Sequence, residues 1–95
     1  MASEKIQPYQ IKGSDETKQV FTATQAGTEQ FTLTTASVLN AGYPSGYEVQ
    51  VYVGGIRQEY NATPGVRQFR MVNSTTVEVG GLVIGDTVAV VHGVD

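Results

Sequence analysis

The chain has no cysteine, no tryptophan and a single histidine, His92. Without cysteine no disulfide staples the fold, so the core is built from Val, Ile, Leu, Phe and Tyr, and the redox compartment is not legible. Catalysts work mostly through groups that titrate near neutrality or hold metal ions. A zinc centre needs three or four ligands, beyond what one His and no Cys provide. The composition therefore predicts a protein that works by shape and contact, not an enzyme, with no cofactor and no metal. Acidic pairs of the type that cleave glycosides draw on Glu29, Glu48, Glu59, Glu78, Asp15 and Asp86. Those within strands fall on polar-facing positions, where a solvated face places them.

Other scarcities narrow the field further. No apolar run approaches the ~20 residues that a membrane helix requires. Residues 1–18 lack the apolar core of a secretory signal, so synthesis in a cytosol is expected. Only 16% of residues are charged, with a net charge of −3, where an average soluble domain carries about 25% charged residues. The six basic residues, Lys5, Lys12, Lys18, Arg57, Arg67 and Arg70, form no stripe that tracks a phosphate backbone, so nucleic acid is not an expected partner. A low-charge surface rich in Thr, Gln, Ser and Gly suits either permanent contact with neighbours or a neutral exposed β domain.

At 95 residues the chain has the length of one domain with one core. Residues 1–18 hold six of the fifteen formal charges and few apolar residues. Pro8 interrupts helix and ladder alike. This segment reads as an extended N-terminal arm, with Ile6, Tyr9 and Ile11 as anchors on a partner, ahead of a domain over 19–95. Gln19 to Thr24 and Glu29 to Thr34 read as two strands of a hairpin about the turn 25–28; Phe31 and Leu33 alternate with Gln30, Thr32 and Thr34. Ala36 to Leu39 reads as a short helical turn or a connection. Asn40 to Gly46 has loop chemistry and carries Tyr43 near its tip, so Tyr43 and Tyr47, with Tyr52, are candidates for a surface recognition platform.

Glu48 to Val53 alternates Val49, Val51 and Val53 with Glu48, Gln50 and Tyr52. Gly54 and Gly55 follow at once and fit a two-residue type I′ turn, with Ile56 to Tyr60 returning antiparallel. Strands are also expected over 66–72, 75–79 and 86–91, with 80–85 as a connector. The last strand is apolar on both faces, as a central strand is. About seven short strands and no persuasive helix predict an all-β fold, a small antiparallel β-sandwich or partly open barrel.

Val51-Tyr52-Val53-Gly54-Gly55-Ile56-Arg57-Gln58, followed by Tyr60, Phe69, Val77, Leu82 and Gly85-Asp86-Thr87-Val88-Ala89-Val90, resembles a β-module frequent in virion proteins of tailed bacteriophages. The segment QVFTATQAGTEQFTLT is similar to the opening of that module, and the likeness spans about residues 19–92. Gly54 stands where the module more often has Asn. In this likeness Gly54, Gly55, Gly85 and Asp86 are structural turn residues. The resemblance implies a structural virion protein: foremost, a capsid decoration (cement) protein on the major capsid protein or another virion protein, often a trimer, located on the capsid surface after synthesis in the host cytoplasm. The arm would then add β pairing or apolar anchors to the shell. The alternative it implies is a receptor- or glycan-binding module of a fibre or head spike, for which the loop around Tyr43 is the natural reader.

Overall fold

The alternation of Val with polar residues is realised as strand throughout the computed structural model, which describes residues 15–94. The strands are β1 (Asp15–Thr22), β2 (Gly27–Thr32), β3 (Val49–Val53), β4 (Ile56–Arg57), β5 (Glu59–Tyr60), β6 (Gln68–Asn73), β7 (Thr76–Leu82) and β8 (Thr87–Val94). They form two four-stranded sheets, ordered β1-β8-β3-β4 and β2-β7-β6-β5. Every neighbouring pair is antiparallel except β5 and β6, which run parallel. The fold is all-β, a sandwich with one core.

Each sheet turns one face inward, as period-two patterning dictates. Val49, Val51, Val88 and Val90 come from the first sheet; Phe31, Phe69, Met71, Val77 and Val79 come from the second. Ala23, Leu33 and Leu82 close the ends. Val51, Val77, Val79, Val88 and Val90 are fully buried. Burial of such side chains contributes about 1.5–3 kcal/mol each, the main favourable term in a chain without disulfides. β8 lies between β1 and β3, so its two apolar faces are those of a central strand.

The turn at Gly54 and Gly55 has φ of 57° and 84°, and Val53 pairs with Ile56 across it. Both central residues are left-handed, as a type I′ hairpin requires. Gly85 has φ 94°, and the Asp86 carboxylate accepts the Val83 N–H at 2.9 Å, closing the turn into β8.

Several expectations are corrected. Residues 19–34 are not a hairpin: β1 pairs with β8 and β2 with β7, in opposite sheets. The turn between them carries the chain across the sandwich, and the Phe21 and Phe31 rings meet with centroids 5.2 Å apart. Both strands offer an aromatic to the core, and the facing sheets bury Phe31 and half-bury Phe21. Residues 56–60 are not one returning strand either. The chain leaves the first sheet at the buried Gln58, whose N–H donates to Val51 and whose side chain donates to the Ile56 carbonyl, and joins the second as β5. Eight strands result among the described residues instead of seven. Residues 36–39 hold no helix, Val66 and Arg67 form a turn, and Gly80 and Gly81 belong to β7. The strand assigned to 19–24 begins at Asp15, so residues 15–18 lie in β1 instead of the arm.

Candidate functional site

Two surfaces stand out. The first is the long connection between β2 and β3. Its Asn40 side chain is used at both ends: Oδ1 accepts the Gly42 N–H at 2.9 Å, and Nδ2 donates to Glu48 Oε1 at 2.7 Å. An Asn that bonds a backbone N–H two residues on holds a turn without regular structure. Glu48 is buried, its backbone is tied to Val38 and Gly93, and its second carboxyl oxygen has no partner. The loop is thereby fixed to the start of β3 and the end of β8.

Tyr43 and Pro44, from this loop, border a small cavity of about 60 Å³ beside Gln50, Arg57 and Tyr60. Tyr47 packs instead against the core, and the Tyr52 hydroxyl donates to Gln50 Oε1 at 3.0 Å. Tyr43 therefore shares its cavity with Tyr60, not with Tyr47 or Tyr52. The cavity has the volume of a few water molecules, enough for the tip of a side chain or the edge of a sugar ring.

The second surface lies at the end of the sandwich formed by the turns at 54–55, 65–67 and 83–86. Ile56, Val66, Val83 and Ile84 are exposed there, with Val66 at 74% and Ile84 at 69%. Ile56, Val66 and Arg67 border a shallow groove floored by Gly80 and Gly81. The glycines are required by close approach. A Cβ on Gly80 would stand 2.4 Å from the Gly65 carbonyl oxygen, and one on Gly81 would stand 2.6 Å from the Val66 Cα. Arg67 is the one described non-glycine residue with positive φ, 61°, and its carbonyl accepts the Glu59 N–H at 2.9 Å. Left-handed backbone is costly for a residue with a Cβ and persists where surrounding structure enforces it. Here the enforced turn holds Val66 and Arg67 at the surface. Sequence patterning hides this surface because Val66 and Arg67 pass for strand. The available signal is Val83-Ile84 between glycines, two aliphatics in a stretch with turn chemistry.

The acidic residues are dispersed over separate structural tasks. Glu29 caps the turn after β1, Glu78 pairs with the Arg70 guanidinium at 2.6 Å, and Asp86 closes the turn before β8. Among the described residues no three His, Asp or Glu side chains gather as metal ligands. His92 is buried, with its ring nitrogens directed at Gln19 and the Gly93 carbonyl. The anchors expected of the arm, Ile6, Tyr9 and Ile11, lie outside the described residues.

No family model, no curated protein and no solved structure matches this chain.

Proposed function

We propose that this chain is a structural virion protein that decorates a capsid: it binds the major capsid protein, or another virion protein, and stabilises the shell without chemistry of its own. The observation that carries the reading is the exposed aliphatic end made by Ile56, Val66, Val83 and Ile84. Large aliphatic side chains left exposed on the turns of a small domain mark a contact site, since leaving them in water forgoes hydrophobic stabilisation. The glycine-floored groove beside it gives a partner side chain a seat, and Arg67 supplies one cation at the rim. Many weak attachments suffice on a shell, because linked sites make later binding steps intramolecular. The phage-module likeness of residues 19–92 supplies the identity of the partner. In this reading the protein resides on the virion surface after synthesis in the host cytoplasm.

Cosedimentation of the purified protein with undecorated shells tests this. Saturable binding is expected at micromolar protein, lost in the Val66→Asp, Ile84→Asp double variant while its thermal midpoint stays near that of the wild type. Absence of binding to both immature and mature shells, or full binding by the double variant, overturns it.

One observation favours a second reading, a receptor- or glycan-binding module. Tyr43, Pro44, Arg57 and Tyr60 converge on one small cavity, and rings beside a polar fork suit the faces and hydroxyls of a sugar. Binding to a glycan array that disappears in Tyr43→Ala would favour it over decoration.

A further inference from the structure

Two of the four sheet edges are blunted against strand addition by their shortness, since β4 and β5 are two residues long; a third, β2, loses register with β7 between Gly27 and Glu29, where the extra residue lies in β7. Short or bulged edges are how β proteins avoid pairing with other chains. β1 lacks both devices. Its eight residues pair with β8 in unbroken register, from Asp15↔Val94 to Thr22↔Thr87, and contain no proline. Among the described residues no strand occupies its other side.

The chemistry of that free side follows from β8. Thr87 accepts the Gly54 N–H, and Gly93 donates to Glu48, so the odd-numbered residues of β8 bond toward β3. Its even-numbered residues bond toward β1, where Val88, Val90 and His92 oppose Phe21, Gln19 and Thr17. Glu16, Lys18, Val20 and Thr22 are left to direct their N–H and C=O groups outward. These four also have exposed side chains, on the outer face of the sheet.

We propose that a second copy of this chain docks on β1, antiparallel about a two-fold axis at Thr17, merging the two first sheets into one of eight strands. Charge selects the register. An axis at Thr17 sets Glu16 against the partner's Lys18, and Lys18 against the partner's Glu16, both in hydrogen-bonding positions on the solvent face. Opposite charges directly across an antiparallel pair stabilise it, and like charges oppose it. An axis at Lys18 would set two ammonium groups against each other, and an axis at Gln19 matches no charges. A two-fold contact uses the same patch on both copies and closes at two. The trimer implied by the phage-module likeness needs a head-to-tail contact, so stoichiometry separates the two. The surface is distinct from the aliphatic end, and failure of either proposal leaves the other standing.

Sedimentation equilibrium of the full chain, up to millimolar concentration, reads the association directly. A monomer–dimer equilibrium is expected. Glu16→Lys and Lys18→Glu, made singly, place like charges across the interface and are expected to raise the dissociation constant at least tenfold. The double exchange E16K/K18E restores the pairing with signs reversed and is expected to return the constant to within about threefold of the wild type. A monomer at every concentration, a trimer, or a dimer indifferent to the single exchanges overturns the proposal.

Discussion

The Gln19 side-chain amide donates to Nε2 of His92 at 2.8 Å, linking residues 73 positions apart. Its oxygen accepts from the Thr34 backbone N–H at 2.7 Å and from the Thr34 hydroxyl at 3.0 Å. Thr34 must donate to that oxygen, so the amide nitrogen is the atom that faces His92. Nε2 is then the acceptor, and Nδ1 carries the proton, donated to the Gly93 carbonyl at 2.9 Å. One side chain thus joins the first strand, the last strand and the segment after β2. Gln19→Ala is expected to cost about 2–3 kcal/mol, because it strands a buried ring nitrogen and frees the Thr34 donors. Urea unfolding measures the loss, and nitrogen NMR of the ring is expected to show the Nδ1–H tautomer.

Acid sensitivity is expected at the turn that crosses the sandwich. The Thr24 hydroxyl at 2.6 Å, with the N–H groups of Thr24 and Gln25, holds the Glu29 carboxyl below its ordinary pKa of 4.5. A folded-state value below the unfolded one adds stability above pH 4.5, and that contribution is lost as the pH falls through the folded-state value. Glu29→Gln is expected to lower the unfolding midpoint at neutral pH and to match the wild type in strong acid. Thermal melts from neutral pH down into strong acid check this.

Alanine substitutions at two glycines are expected to differ sharply. At Gly81 the new Cβ meets the Val66 Cα at 2.6 Å, and φ is 68°, so neither space nor backbone accepts it. At Gly46 φ is 81°, but the site is open. Gly46→Ala is expected to cost about 1–2 kcal/mol, the left-handed penalty alone. Gly81→Ala adds a backbone collision and is expected to cost about 3 kcal/mol or more, among the large single-site losses. It also displaces the turn that carries Val66, so shell binding is expected to fall with stability. Chemical denaturation compares the two.

Truncation tests where the sandwich begins. Removing residues 1–14 leaves every described strand whole and is expected to change the thermal midpoint by a few degrees at most. Removing residues 1–18 takes half of β1, including Thr17 opposite His92, and is expected to lower it by about 10 °C or more. Differential scanning calorimetry on both variants decides between a boundary at 14 and one at 18.

Much of the first sheet is legible in the order of residues. Val49, Val51 and Val53 show their face by alternation, Gly54-Gly55 names its own turn, and the doubly apolar 88–91 stretch marks a central strand. The candidate contact surfaces are less legible. Tyr43 is conspicuous because it sits in loop chemistry, but its companion at the cavity is Tyr60, which arrives by a sheet switch at Gln58. Gln58 looks like an ordinary strand residue, and the switch becomes visible only through its bonds to Val51 and Ile56.

The sequence alone determined that the chain would be β, which side chains of its alternating strands face inward, and that Gly54-Gly55 and Gly85 make turns. These depend on neighbours one to four residues away, through side-chain alternation and the steric freedom of glycine. Only the tertiary structure decided that β1 and β2 part into opposite sheets, that β5 runs parallel to β6, and that Val66, Val83 and Ile84 collect at one end. Those outcomes depend on which inward faces bury each other best across the core, and a local pattern of apolar and polar residues does not encode that choice.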